Sequence, residues 1–290
     1  MKYCIVYLAS PQESRLSTNQ LRFDMLCASI RNTSRVFKNT DYYIFHEDLD
    51  NEHQDTLQSC HDSSMFFDKL DFVREDLSFV RFGRPKGYML MCRFFSGELQ
   101  EKLTSKGYDG YIRFDDDSFL LDPLLSKQSI ETMMNEKDYI FRSIFMDGQP
   151  KFNHGKPMQS LYDFTKKFVS DKNLQLESIL PFLKNQYFLN LQGLYTGLCP
   201  YNNFHACNLS LWNHPIIKEY TNAIIENNGC LMHYWMDANI HSMIIFVLCP
   251  LLNINVGLNT EFGYRHNRHF SLLYSPGITY RKDEDFYPQV

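Results

Sequence analysis

The chain has 290 residues, 44% hydrophobic and 15% aromatic, with 29 Lys and Arg against 34 Asp and Glu for a net charge of −5. So much apolar material excludes a disordered chain and supplies the core of a large domain. The acidic balance, with no basic footprint, argues against a nucleic-acid partner, and no apolar run reaches the roughly 18 residues needed to span a membrane.

In chain order, α and β signals alternate. A first strand at 3–8 leads into a polar loop, Ser10 to Ser14, and then a helix at about 19–37 with Leu21, Met25 and Ala28, and Leu26 and Ile30, spaced for one face. Tyr42–Phe45 reads as the next strand, 51–60 as a helix, and 88–105 as a long helix stopping before Gly107. A strand ending at Ile112–Phe114 follows, then a strand at 138–142 and a helix at 158–172. Pro215 starts a helix expected to stop at Gly229, and another is predicted over 231–246. Residues 243–252, the longest apolar stretch, read as a buried helix end or core strand. This order predicts one α/β domain over 1–290, a mostly parallel central sheet flanked by helices.

The N-terminal run Tyr3–Leu8 is too short and too tyrosine-rich for a signal-peptide core. The expectation is a soluble protein of the cytoplasm, including that of a virus-infected host. The Golgi lumen fits only if an anchor has been removed. The eight cysteines show no C-x-x-C pair and no zinc spacing, so buried free thiols are expected, with an oxidised pair open to an oxidising compartment.

The most informative feature is Asp115-Asp116-Asp117, directly after the strand Gly110–Phe114. Adjacent carboxylates repel, and a cation at a strand's carboxyl end relieves that repulsion. Asp115 and Asp117 share a face in extended backbone and suit a divalent metal against a diphosphate; Asp116 then points the other way, into solvent. The competing reading is a solvated acidic turn capping the next element.

Five stretches in order resemble the fungal-type Golgi α-1,2-mannosyltransferases, glycosyltransferase family 15: 88–97 (Tyr88 to Gly97), 108–117 (Tyr108 to Asp117), Tyr201-Asn202-Asn203-Phe204-His205, 234–242 (Tyr234 to Ser242) and Phe262-Gly263-Tyr264-Arg265-His266. The resemblance implies a GT-A nucleotide-sugar transferase fold, GDP-mannose as donor, Mn²⁺ as cofactor and retention at the anomeric carbon. It divides the chain into a donor half, about 1–125, and a half completing the acceptor and metal sites, about 126–290.

The resemblance also assigns residues. Asp115 stands where the family has Glu, and Asp116 where it has Pro. Asp115, Asp117 and His241 are the implied metal ligands, an imidazole beside oxygen donors suiting Mn²⁺. The alternative for His241 is a core histidine bonded to a neighbour. Tyr88 aligns with a tyrosine near the donor sugar and phosphate. Arg93 and Arg113 are expected to neutralise phosphate or brace the acidic turn, with a structural salt bridge the alternative for each. Asp237 is expected to orient a sugar hydroxyl or to steady the helix carrying His241. Tyr264 and His266 match a Gly-Tyr-x-His element near the nucleotide. Ser210 falls where the family's reactive glutamate belongs, and no carboxylate occurs between Tyr201 and Lys218. A serine without an adjacent base is a poor nucleophile, so front-face attack with the leaving diphosphate taking the proton is one reading. Loss of turnover, leaving a glycan- or nucleotide-binding module, is the other. A phosphohydrolase using Asp115 and Asp117 ranks last, because Phe119 occupies the slot where that chemistry wants Thr or Val.

Overall fold

The computed structural model describes residues 1–9, 19–70, 86–147, 155–266 and 269–271. The polar loop expected at 10–14 lies outside them. The strands are β1 (Tyr3–Ala9), β2 (Asp41–His46), β3 (Met65–Lys69), β4 (Gly110–Phe114), β5 (Ser118–Leu120), β6 (Tyr139–Phe141), β7 (Ile144–Met146), β8 (Leu198–Pro200), β9 (Phe204–Asn208), β10 (Val256–Leu258), β11 (Tyr264–His266) and β12 (His269–Ser271). Seven of them form the central sheet in the order β10-β6-β9-β4-β1-β2-β3. All neighbouring pairs are parallel except the two made by β9, which runs against both β4 and β6.

The sheet is buried on both faces, as strands with helical crossovers require. Along β1, Cys4 and Val6 enter one apolar cluster while Ile5, Tyr7 and Ala9 enter the other. In β4, Tyr111 joins the first and Ile112 and Phe114 the second. Helix α1 (Asn19–Ser34) covers the second face through Phe23, Leu26, Cys27 and Ile30. Burying each large apolar side chain of this kind contributes about 1.5–3 kcal/mol. All eight cysteines are buried free thiols, as expected.

Two predicted helices take a different form. The long helix runs from Lys86 to Ser105 but widens into a π turn at Phe94–Glu98. The helix predicted over 231–246 is two pieces, Gly229–His233 and one starting at Asp237, because Tyr234 adopts left-handed backbone (φ 60°) between them. The second piece continues through a buried π turn, Ile244–Leu248, to Leu252, which makes the apolar run a core helix. Gly229 opens a short helix where it was expected to close one; its predecessor ends at Glu226.

The strands not predicted are short or distant in sequence from their partners. A second sheet, β12-β11-β5, sits beside the end of β4. In it, antiparallel pairing of β11 with β5 sets His266 opposite Ser118 and Tyr264 opposite Leu120.

Candidate active site

The site forms where β4 ends. The chain turns directly after Phe114, with the Ser118 amide donating to the Asp115 carbonyl at 3.1 Å, and then enters β5. Asp115 and Asp117 converge through this turn and not through extended backbone. His266 meets them, its Nε2 lying 2.9 Å from Asp117 Oδ1 and 3.6 Å from Asp115 Oδ2. The β5–β11 register carries the imidazole there. Gly263, just before β11, permits the close approach, since a Cβ on it would come 2.9 Å from Leu121 Cβ. The Leu121 amide bonds the Gly263 carbonyl at 3.0 Å.

Each member of the group is held from behind. Arg113, 2% exposed, reaches Asp115 Oδ1 through Nη2 and Asp237 Oδ2 through Nη1, both at 2.9 Å, with its guanidinium 3.4 Å above the Phe95 ring. Asn202 Nδ2 donates to the same Asp237 oxygen at 2.8 Å. Asn203 Nδ2 donates to Asp115 Oδ2 and lies 3.1 Å from His266 Nε2; the Tyr201 hydroxyl holds His266 Nδ1 at 2.8 Å. Tyr264 bonds Ser118 Oγ at 2.7 Å, fastening β11 to β5.

These contacts set the charges. Burial raises Asp115, but the Arg113 charge, with His266 and Asn203, outweighs it and holds the carboxyl well below the usual range. Burial favours neutral His266, yet Asp115 and Asp117 overcome that and lift its pKa to about 10. Asp116 was expected in solvent and is instead buried, 6% exposed and ion-paired with Arg22 of α1. Burial pushes it up to about 6 despite Arg22, with Asp117 and Asp115 adding to the rise.

The other expected site residues fall into place unequally. His241 is fully buried, with Nδ1 2.8 Å from the Tyr139 hydroxyl and Nε2 2.9 Å from the Phe95 carbonyl oxygen. Both ring nitrogens are therefore spent on the core, and the imidazole that faces Asp115 and Asp117 is His266. Arg93 pairs with Glu98 at 2.6 Å, five residues further along its own helix. Arg113 and Asp237 form an internal brace, the second of the roles weighed for Arg113. Tyr88 is half-buried, its hydroxyl 3.6 Å from the Met236 sulfur, one residue before Asp237.

Ser210 is at the wrong end of the sheet. Because β9 runs antiparallel to β4, Phe204 pairs with Phe114 beside the acidic turn, whereas Asn208 pairs with Gly110 at the far edge. Ser210 follows Asn208, is exposed, and bonds Asp138 at 3.4 Å. Sequence reasoning missed Arg22, for which no motif exists, and passed over Tyr201 and Asn203, although both lie in a stretch singled out for its resemblance.

Among the described residues, no three His, Cys, Asp or Glu side chains stand arranged as a finished metal cage. The donors nevertheless fit a cation. Asp117 Oδ1 is a buried oxygen without a well-aligned hydrogen bond, and two carboxylates with one imidazole match the preference of Mn²⁺ for hard oxygen plus borderline nitrogen.

A mostly parallel sheet with an acidic turn at the carboxyl end of a central strand, closed by a small antiparallel sheet, defines the GT-A class of glycosyltransferase folds. A family model described as Glycolipid 2-alpha-mannosyltransferase matches residues 67–276, and the chain belongs to that family, glycosyltransferase family 15. It is 25% identical over 186 residues to the glycolipid 2-alpha-mannosyltransferase of Saccharomyces cerevisiae, covering 64% of this chain and 40% of that protein. It is 24% identical over 221 residues to the probable mannosyltransferase MNT3 of Candida albicans, covering 74% and 54% respectively. The chain thus spans about half the length of these relatives. Core-mannan synthase A of Aspergillus fumigatus, solved in an Mn/GDP form, shares the fold with a TM-score of 0.71 at 16% identity, covering 100% of this chain and 81% of that one. The mannosyltransferase Ktr4p of S. cerevisiae with GDP gives 0.68 at 17%, covering 93% and 72%. No helix among the described residues is long and apolar enough to cross a membrane.

Proposed function

We propose that this chain is a metal-dependent retaining glycosyltransferase that moves a hexose, mannose from GDP-mannose, onto a hydroxyl of a glycan or glycoprotein. The observation that carries the proposal is the meeting of Asp115, Asp117 and His266 at the end of β4 in a member of a mannosyltransferase family. Asp117, Asp115 and His266 are the residues to hold Mn²⁺, which when bound would neutralise charge developing on the departing diphosphate. To bind metal, His266 must give up its proton, so a doubly charged ion takes the place of a single positive charge. Arg113 and Asn203 keep Asp115 ionised and aimed, and Tyr201 fixes the His266 ring.

With no carboxylate between Tyr201 and Lys218 and with Ser210 at the opposite edge, transfer proceeds by front-face attack. The acceptor oxygen bonds the anomeric carbon as its bond to the phosphate oxygen breaks, and the acceptor proton passes to the leaving diphosphate. The same lack of a nearby nucleophile favours one second reading, a nucleotide-binding module without turnover.

Thermal denaturation with nucleotide-sugars, with and without Mn²⁺, tests the reading, because binding to the native state raises Tm by mass action. A Mn²⁺-dependent rise with GDP-mannose, lost in Asp117→Ala, is the expected result. A rise with a UDP-sugar alone would overturn the mannose assignment, and no rise with any donor would overturn the transferase. Binding of GDP-mannose without transfer or hydrolysis would leave the module.

A further inference from the structure

The donor site has a positive arm that none of the assignments above uses. Asp116 lies between the two candidate metal carboxylates in sequence, yet its side chain is 6% exposed and turned toward α1. There it accepts from Arg22 Nε. Arg22 stands in the first turn of α1, whose apolar face covers the sheet beneath the acidic turn. Only Nε is engaged. Among the described residues, Nη1 and Nη2 make no hydrogen bond, and the side chain is 48% exposed.

This differs from the guanidinium of Arg113, which is 2% exposed and shares its Nη groups between two carboxylates. A purely structural Arg–carboxylate pair gains most from bidentate, fork-on-fork contact. Arg22 gives its carboxylate one edge and, with the side chain about half exposed, leaves the other edge of the fork open. Asp115 and Asp117 both act on the Arg22 charge, as does Asp116. A diphosphate approaching three carboxylates needs fixed positive charge at their border, and a planar guanidinium aimed in advance by a buried anion supplies it at little ordering cost.

We propose that Arg22, aimed by Asp116, is a binding residue for the diphosphate of the nucleoside-diphosphate donor. The inference rests on the donor reading of this site. Asp116 is then a positioning residue that acts through Arg22, and the middle carboxylate of the triplet serves the ligand without touching the metal.

Isothermal titration in Mn²⁺ with three probes, GDP, inorganic pyrophosphate and guanosine, tests this on the wild-type chain and on Arg22→Gln. One charge-assisted bond corresponds to about a tenfold change in affinity. Arg22→Gln is expected to bind GDP and pyrophosphate about tenfold more weakly, with a shallower salt dependence, while guanosine, which lacks phosphate, is unaffected. Arg22→Lys keeps the charge without the fork and is expected to lose several-fold; it serves if the glutamine variant does not fold. Affinities for GDP and pyrophosphate equal to wild type in either variant would overturn the proposal, whatever happens to Tm. A wild-type chain that binds neither probe with Mn²⁺ would overturn the donor reading itself, so the two failures are distinct.

Discussion

His266 Nε2 stands 2.9 Å from Asp117 Oδ1 because β11 pairs with β5 so that His266 lies opposite Ser118, the residue after Asp117. The third metal ligand expected from the sequence, His241, instead bonds Tyr139 and the Phe95 carbonyl. The two histidines therefore separate by experiment. His266→Ala is expected to weaken Mn²⁺ binding by at least the roughly 10–100-fold that loss of a partner behind a metal ligand costs, and to lower stability as well, because the cation paired with Asp115 and Asp117 is gone. His241→Ala is expected to lower stability by about 2–4 kcal/mol, through a cavity and two orphaned buried groups, while keeping Mn²⁺ affinity. Metal titration followed by Mn²⁺ electron paramagnetic resonance, beside thermal melts, reads both. The reverse pattern would return the metal to His241.

His241 also gives the fold an acid-sensitive element. Burial drives its pKa from the ordinary 6.5 down to about 4, despite the nearby Asp237 charge. Below pH 6.5 the unfolded chain takes up a proton at this position that the native chain refuses until about pH 4. The contribution to stability is thus present above pH 6.5, falls as pH drops through that window, and levels off below it. At about 1.4 kcal/mol per unit the loss approaches roughly 3 kcal/mol. His241→Gln is expected to be less stable at pH 8 and to show a flatter decline between pH 6.5 and 4. Equal slopes for variant and wild type in urea titrations across that range would refute it.

Local signals made the frame of this site legible. The short continuous apolar runs at 3–8 and 42–45 and the acidic run after Phe114 were readable because each depends on neighbours in sequence. What completes the site depends on distant pairings. No local signal tells that a three-residue strand, Tyr264–His266, will lie against Ser118–Leu120, or that Phe204–Asn208 will run antiparallel inside a mostly parallel sheet. That one reversal removes Ser210 from the site and brings Tyr201 and Asn203 into it. Asp116 was misjudged for a related reason: alternation pointed it away from the metal face correctly, but away from that face lies α1 with Arg22, not water.

The Arg113 brace predicts a large stability cost. Arg113 is buried between Asp115 and Asp237, and Asn202 and the Cys92 thiol also reach Asp237. Removing the cation leaves buried carboxylates facing one another, a change that typically costs about 3–5 kcal/mol. Arg113→Met is expected to fall in that range by denaturant titration and to lose donor binding with it, because Asp115 is no longer aimed. Asp237→Asn keeps the shape and one partner for Arg113, so its cost should be smaller. A melting temperature unchanged in Arg113→Met would mean that the brace does not hold the turn.

Ser210 offers the sharpest contrast between alignment and register. Alignment puts it at a reactive position, whereas pairing of Asn208 with Gly110 puts it a full strand length from the turn after Phe114. Among the described residues its side chain makes one hydrogen bond, 3.4 Å to Asp138 at an exposed surface, and substitutions there usually change stability by no more than about 0.5 kcal/mol. Ser210→Ala is therefore expected to keep both Tm and the rate of sugar transfer from the donor, while Asp117→Ala abolishes transfer. If Ser210→Ala lost transfer by about a hundredfold with its melting temperature intact, the serine would have to reach the donor, and the antiparallel register of β9 would be wrong. An unchanged rate would leave the leaving diphosphate as the base of the reaction.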